Sequence, residues 1–264
     1  MRLAVAALLV IAGLYLAIVA YFAFAQRSFI YPAPPRGRAP AHVDGLVTLP
    51  SGEYFVHVRG APVVVHFHGN GEDLADADQM IDLLRSLGAG VLAVEYPGYG
   101  AMPGRAGERS IYAAAEAALR WLREVERVPA ESVVLQGQSL GSGVAAEMAR
   151  RGWGARLVLI SPFTSMAELG QRLFPWLPVK LLIQDRFETL SKAPQIDMPV
   201  LIVHGTTDEI VPFAMGERLS RAFPRATLRP IAGAGHNDLL ALHARELRAA
   251  LASFLESDRG QDRR

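Results

Sequence analysis

A serine held between two glycines, where an apolar run meets a small-residue segment, most constrains how this chain can fold. The stretch Val133–Gly143 reads VVLQGQSLGSG. It opens with β-branched, apolar residues, breaks at Gly137, and becomes helix-forming from Gly143 to Arg151. Ser139 therefore lies on a tight strand-to-helix turn, where only residues lacking Cβ let the neighbouring backbone pass so closely. Such a turn lifts the hydroxyl above a sheet, and the following helix N-terminus aims N–H groups and partial positive charge at it. Taken alone, the pentapeptide Gly137–Gly141 also fits, less well, a glycine-bounded turn whose serine merely caps the helix. The rest of the chain decides between them.

The remaining pattern supplies the sheet. Gly45–Leu49 and Tyr54–Arg59, joined around Ser51-Gly52, read as a β-hairpin. Pro62–Phe67 is a continuous apolar run ending in His68-Gly69-Asn70-Gly71, followed by a helical pattern over Leu74–Leu87. Val91–Glu95 is the next strand, closed by Pro97-Gly98-Tyr99-Gly100, and Ser110–Val125 has amphipathic spacing. Strand segments follow at Val133, Leu157–Ile160, Val200–His204 and Thr227–Ile231, before a closing helix over Leu239–Leu255. This alternation predicts an α/β fold: right-handed crossovers and a mostly parallel sheet with helices on both faces. Ligand sites of such sheets lie beyond the carboxyl ends of the strands. Asn70, Ser139, Asp208 and His236 each come just after a strand.

Composition removes several function classes. A net charge of +1 leaves no electrostatic case for nucleic acid. With no cysteine there are no disulfides, no thiolate catalysis and no cysteine-based metal site, and the compartment stays open. Seven histidines invite a metal reading, but no HExxH helix or Cys/His cluster is present, and His66 and His68 are read as facing opposite sides of their strand. Neither metal nor cofactor is expected.

Leu3–Ala25 is an uncharged, almost wholly apolar run flanked by Arg2 and Arg27. As a helix it would be about 34 Å long, enough to cross a hydrocarbon core of about 30 Å. Ala23-Phe24-Ala25 has the form of a signal-peptidase site, so a cleaved signal is the alternative to a retained single-pass anchor. The run exceeds the roughly 7–15 apolar residues of a signal core, which favours the anchor. Arg27, Arg36 and Arg38 after the span tilt the charge count towards a cytoplasmic catalytic domain, while a signal-like start tilts the other way. The side is left undecided. The expected organisation is an anchor or signal over 1–27, a proline-rich connector over 28–44, a catalytic domain over 45–256 and a polar tail over 257–264.

Serine hydroxyls are poor nucleophiles, so Ser139 needs a base within reach and a carboxylate to orient that base. Ser139, Asp208 and His236 occur in the chain order associated with the G-x-S-x-G turn. Donors for a developing oxyanion are expected from the backbone N–H of Leu140 and from Asn70. Asp185, Asp197 and Asp238 are alternative acids, and Ser142 and Ser161 are serines nearby without the two-glycine turn. A histidine base must be neutral to take the proton, so activity is expected to rise with pH through neutrality.

Together, Gly137–Gly141, His68–Gly71, Pro97–Gly100, Ser161-Pro162-Phe163-Thr164-Ser165, His204–Pro212 and Gly235-His236 resemble the α/β-hydrolase superfamily. The likeness is greatest to its small membrane-anchored serine hydrolases, the branch that includes protein depalmitoylases. It runs from about Arg27 to Leu255, and implies an eight-stranded sheet with Ser139 as nucleophile, Asp208 as acid, His236 as base, and Asn70 with Leu140 as oxyanion donors. Two departures touch the expected site rim. Tyr96-Pro97 precedes Gly98 where this branch usually has an arginine, and Ala101-Met102-Pro103 replaces a small polar continuation.

Between Pro162 and Pro199 the chain is too short for a large cap domain but rich in apolar residues. It reads either as an apolar flap or acyl groove dipping towards the membrane, or as a helix packed on the sheet. Tyr99, Phe163 and Trp176 are the expected substrate contacts. The expected partners are an acyl ester or thioester substrate, lipid-linked ones included, and a membrane contacted through Leu3–Ala25. A serine peptidase of related fold and a non-catalytic membrane scaffold are the rival classes.

Overall fold

The computed structural model describes every residue except 35–37, 39, 42, 50, 51, 53 and 257–264. Arg36, Ser51 of the hairpin turn and the polar tail Ser257–Arg264 therefore lie outside the described residues. A long apolar helix, α1 (Arg2–Ile30), precedes β1 (Leu46–Thr48), β2 (Tyr54–Val58), β3 (Val63–Phe67), α2 (Asp78–Ser86), β4 (Gly90–Val94) and α3 (Glu108–Glu124). Then come β5 (Val133–Gln138), α4 (Leu140–Arg150), β6 (Arg156–Ile160), α5 (Met166–Leu173), α6 (Val179–Leu182) and α7 (Thr189–Lys192). The chain closes with β7 (Val200–Gly205), α8 (Phe213–Ala222), β8 (Ala226–Ile231) and α9 (Ala244–Glu256).

Among the described residues eight strands form one sheet in the order β1-β2-β4-β3-β5-β6-β7-β8. The expected hairpin pairs antiparallel, β2 joins β4 antiparallel, and every later pairing is parallel. The apolar run Pro62–Phe67 is buried throughout β3, as its continuous hydrophobicity predicts, and β4 and β6 are buried throughout as well. Their alternation feeds two cores. Val63, Val65 and Phe67 pack with α3, α4 and α8, whereas Val64 packs with α2 and α9. Each fully buried aliphatic side chain in these layers contributes about 1.5–3 kcal/mol of transfer free energy.

Three boundaries differ from expectation. α2 begins four residues later than its apolar pattern, because the Asp73 and Asp76 carboxylates accept the N–H groups of Ala75 and Asp73 and hold that stretch in turns. α9 begins at Ala244, since Asp238 takes Gly235 N–H on its side chain and Leu242 N–H on its carbonyl. α4 starts at Leu140, directly after Ser139, three residues earlier than its composition suggests. In addition, α1 continues to Ile30, into the segment read as connector.

Candidate active site

Ser139 sits in the turn from β5 into α4 with φ 48° and ψ −114°, a conformation L-residues rarely adopt, and its N–H donates to Ile160 O at 2.9 Å. The flanking glycines are dictated by overlap. A Cβ on Gly137 would collide with the carbonyl of Gly141, and a Cβ on Gly141 would collide with the carbonyl of Phe67. β5, β3 and α4 can thus meet only without those methyl groups.

The three residues singled out from the sequence converge. Ser139 Oγ lies 3.0 Å from His236 Nε2, and His236 Nδ1 lies 2.8 Å from Asp208 Oδ2. A carboxylate can only accept, so Nδ1 carries the ring hydrogen and Nε2 is left to accept from the serine hydroxyl. Asp208 is itself fastened. Its Oδ1 accepts from Ile210 N at 3.0 Å and Val211 N at 2.7 Å. Burial pushes its pKa up, but hydrogen bonds from His204 and His236, the His236 charge and Val211 N–H outweigh burial, leaving Asp208 well below the usual carboxylate range. Asp238, the alternative acid, is occupied by Gly235 N–H, and Asp185 is paired with Arg27 at 3.0 Å.

His204 was not singled out from the sequence. It is fully buried, and its Nε2 lies 2.8 Å from Val211 O and 3.3 Å from Asp208 Oδ2. A carbonyl only accepts, so Nε2 carries the hydrogen and spans both oxygens. Its position four residues before Asp208, at the end of the same strand, was the available signal.

Leu140 is the first residue of α4, where N–H groups have no intrahelical carbonyl. Asn70 lines the same cavity as Ser139 and Leu140. The loop bearing it is braced by two carboxylates. Glu72 accepts Gly69 N–H at 2.7 Å through Oε2 and Gln138 Nε2 at 3.1 Å through Oε1, tying the loop to the residue before Ser139. Glu95 takes Leu74 N–H at 3.2 Å and lies 3.1 Å from His68 Nε2. Burial would push His68 down, but the Glu95 hydrogen bond and charge raise it. His66 and His68 were expected on opposite faces. That is corrected, because residues two apart on a strand share a face, and His68 stands beyond the last residue of β3, over Tyr96.

An apolar cavity opens from Ser139, Leu140 and Asn70. Its walls include Phe163, Met166 and Leu169, together with Phe22, Phe29 and Ile30 of α1. The Pro162–Pro199 segment thus contributes to the cavity wall, and its later helix packs on other helices rather than on the sheet. α5 and α6 cover the serine, while α7 packs on α4 and α8. Phe163 lines the cavity as expected. Trp176 is half exposed at the edge, where its ring packs edge-on against Phe22 at 5.7 Å. Tyr99 is a correction. It is fully buried, 5.6 Å from the His68 ring and 5.8 Å from that of Tyr96, because its turn folds under the Asn70 loop rather than over the cavity. Among the described residues no three His, Asp or Glu side chains converge as a metal cage.

The chain matches known proteins in sequence and in shape. Residues 59–187 match the family described as serine aminopeptidase, S33, and residues 169–241 match the α/β hydrolase fold family. An uncharacterized protein of Mycobacterium tuberculosis is 36% identical over 245 residues, covering 87% of each chain. Human α/β hydrolase domain-containing protein 17B is 36% identical over 176 residues, covering 65% of this chain and 59% of its own length. Among solved structures, a Pyrococcus furiosus esterase superposes with a TM-score of 0.67 at 18% identity, over 85% of this chain and 96% of its own. A Paleococcus ferrophilus monoacylglycerol lipase gives 0.60 at 23% identity, over 77% and 98%. Close relatives over most of its length, an eight-stranded sheet of the right order and a glycine-flanked serine turn lead to one assignment: the chain belongs to the α/β-hydrolase superfamily.

Proposed function

We propose that this hydrolase is a membrane-anchored serine esterase or thioesterase acting on acyl substrates through Ser139, His236 and Asp208. One observation carries the reading: the Ser139–His236–Asp208 hydrogen-bond relay ends in a cavity walled by apolar side chains. In this mechanism Ser139 Oγ attacks the acyl carbonyl carbon as His236 Nε2 takes its proton. Asp208 stabilises the imidazolium, and the N–H groups of Leu140 and Asn70 bind the developing oxyanion. His236 then hands the proton to the leaving alkoxide or thiolate, giving an acyl-serine. Water, deprotonated by His236, releases the carboxylic acid and restores the serine. That the superposing proteins include an esterase and a monoacylglycerol lipase supports the bond type.

A retained anchor is supported by contacts on both sides of Ala25. Tyr15 Oη donates to Trp176 O at 2.9 Å, and Gln26 exchanges hydrogen bonds with Leu182 O and Gln184 N–H. Cleavage at Ala25 would sever the first of these and strip Phe22 from the cavity.

Labelling of the full chain with a fluorophosphonate, wild type against Ser139→Ala, tests the reading. Rapid labelling lost in the variant is the expected result, and an unlabelled, folded wild type would bring the non-catalytic scaffold forward. The family description also favours a peptidase reading. An aminopeptidase must bind a free α-ammonium, and the described cavity lining contains no carboxylate. Hydrolysis of aminoacyl amides in preference to acyl esters would reverse that judgement.

A further inference from the structure

α1 has no buried role in the sheet, yet it is fastened along half its length to the α5–α6 cap. Tyr15 reaches Trp176 O, Phe22 packs on Phe174 and Trp176 with ring centroids 5.5 and 5.7 Å apart, Gln26 bridges Leu182 and Gln184, and Arg27 pairs with Asp185. These contacts conflict with a cap lying outside a bilayer that α1 crosses. Tyr15 and Ala25 are ten residues apart, about 15 Å along a helix. With Leu3–Ala25 in the hydrocarbon, the Phe174–Trp176 turn stands at the depth of Tyr15, well inside the span. The cap exposes apolar side chains there: Leu173 and Trp176 are half exposed and Leu181 is 86% exposed, while the neighbouring exposed Arg172 and Lys180 have stems long enough to carry their charges towards the headgroups. Single exposed apolar side chains are ordinary, but a group of them continuous with an apolar helix marks a membrane surface.

The cavity points the same way. It encloses about 160 Å³, the size of a cavity that holds a six-carbon ring. A longer acyl chain bound at Ser139 exceeds that volume, and among the lining residues Phe29 of α1 and Leu173 of α5 are half exposed.

We infer that the cap is embedded in one leaflet and that α1 forms a wall of the acyl site through Phe22, Phe29 and Ile30, so that long acyl chains enter from the hydrocarbon. The anchor is thereby part of the specificity machinery. This rests on the hydrolase reading above, and its test separates the two. The chain lacks cysteine, so Leu181→Cys gives the full-length protein one attachment point for an environment-sensitive fluorophore, independent of catalysis. In phosphatidylcholine vesicles the probe should be quenched by doxyl-labelled acyl chains. A solvent-quenched probe, or one shielded from both water and lipid as by a second copy of the chain, would overturn leaflet embedding. In the same vesicles, fluorophosphonates with a long and a short alkyl tail should label wild type with at least a tenfold preference for the long tail. Phe22→Ala combined with Phe29→Ala should cut that ratio about tenfold. An unchanged ratio would remove α1 from the acyl site while leaving the hydrolase reading intact, whereas failure of both tails to label wild type would sink both.

Discussion

Gly141 runs so close to Phe67 that a methyl group on its α-carbon would overlap the Phe67 carbonyl. The obstruction is backbone, which cannot swing aside as a flexible side chain would. Gly141→Ala should therefore push α4 off β3, destabilise the fold by about 3 kcal/mol or more, and abolish labelling of Ser139. Thermal unfolding and fluorophosphonate labelling check this together. A variant of near wild-type stability would show that the close approach is not maintained in solution.

Asp208→Asn should lower kcat about 10³- to 10⁴-fold while leaving the fold intact, because an amide no longer enforces the Nδ1–H tautomer of His236. The sign of the pH effect follows from the wild-type carboxylate. Asp208 is held below the ordinary carboxylate range, so it stays ionised where the enzyme is assayed. The acid limb of log kcat/KM should then fall with a slope of one, reporting a single proton on the base. A slope of two in steady-state kinetics would mean that a second group, such as Asp208 itself, also gains a proton there.

Glu72 joins Gly69 N–H to Gln138 Nε2, linking the loop of Asn70 to the turn that carries Ser139. Glu72→Gln weakens the charge-assisted bond to Gly69 and loosens the orientation of Asn70, the proposed oxyanion donor. The expected outcome is a kcat lower by roughly 10- to 100-fold, with KM changed little, since the interaction is realised in the transition state. A rise in KM at constant kcat would contradict this positioning role.

His66 is buried, and desolvation holds its pKa down to about 3. The unfolded chain takes up this proton near pH 6.5, so below that pH the unfolded state binds more protons and stability rises with pH. Stability should thus be lost progressively as pH falls from about 6.5 towards 3, by an amount on the order of a few kcal/mol. Urea denaturation of wild type and His66→Leu at pH 7 and pH 4 measures it. The variant should lose less stability between the two, and parallel losses would assign the acid sensitivity elsewhere.

What sequence alone determined was local and periodic. The succession of strands, the two-sided burial of β3 and the serine turn follow from apolar runs and glycine placement, which are properties of neighbouring residues, whereas α8 was not among the helices read. Chain order also singled out Ser139, Asp208 and His236, whose side chains meet in the structure. Tertiary structure alone decided the rest, because it depends on residues far apart in the chain meeting. Tyr99 looked like a rim residue from its turn, but only packing against His68 and Tyr96 shows it buried. His204 becomes part of the acid's environment only when the chain after β7 folds back over it. Above all, the apolar run of α1 carries no sign in its own residues that Phe22, Phe29 and Ile30 wall the cavity beside Ser139. Hydrophobicity sets which surfaces avoid water, and shape and hydrogen bonding between distant segments set which of them meet.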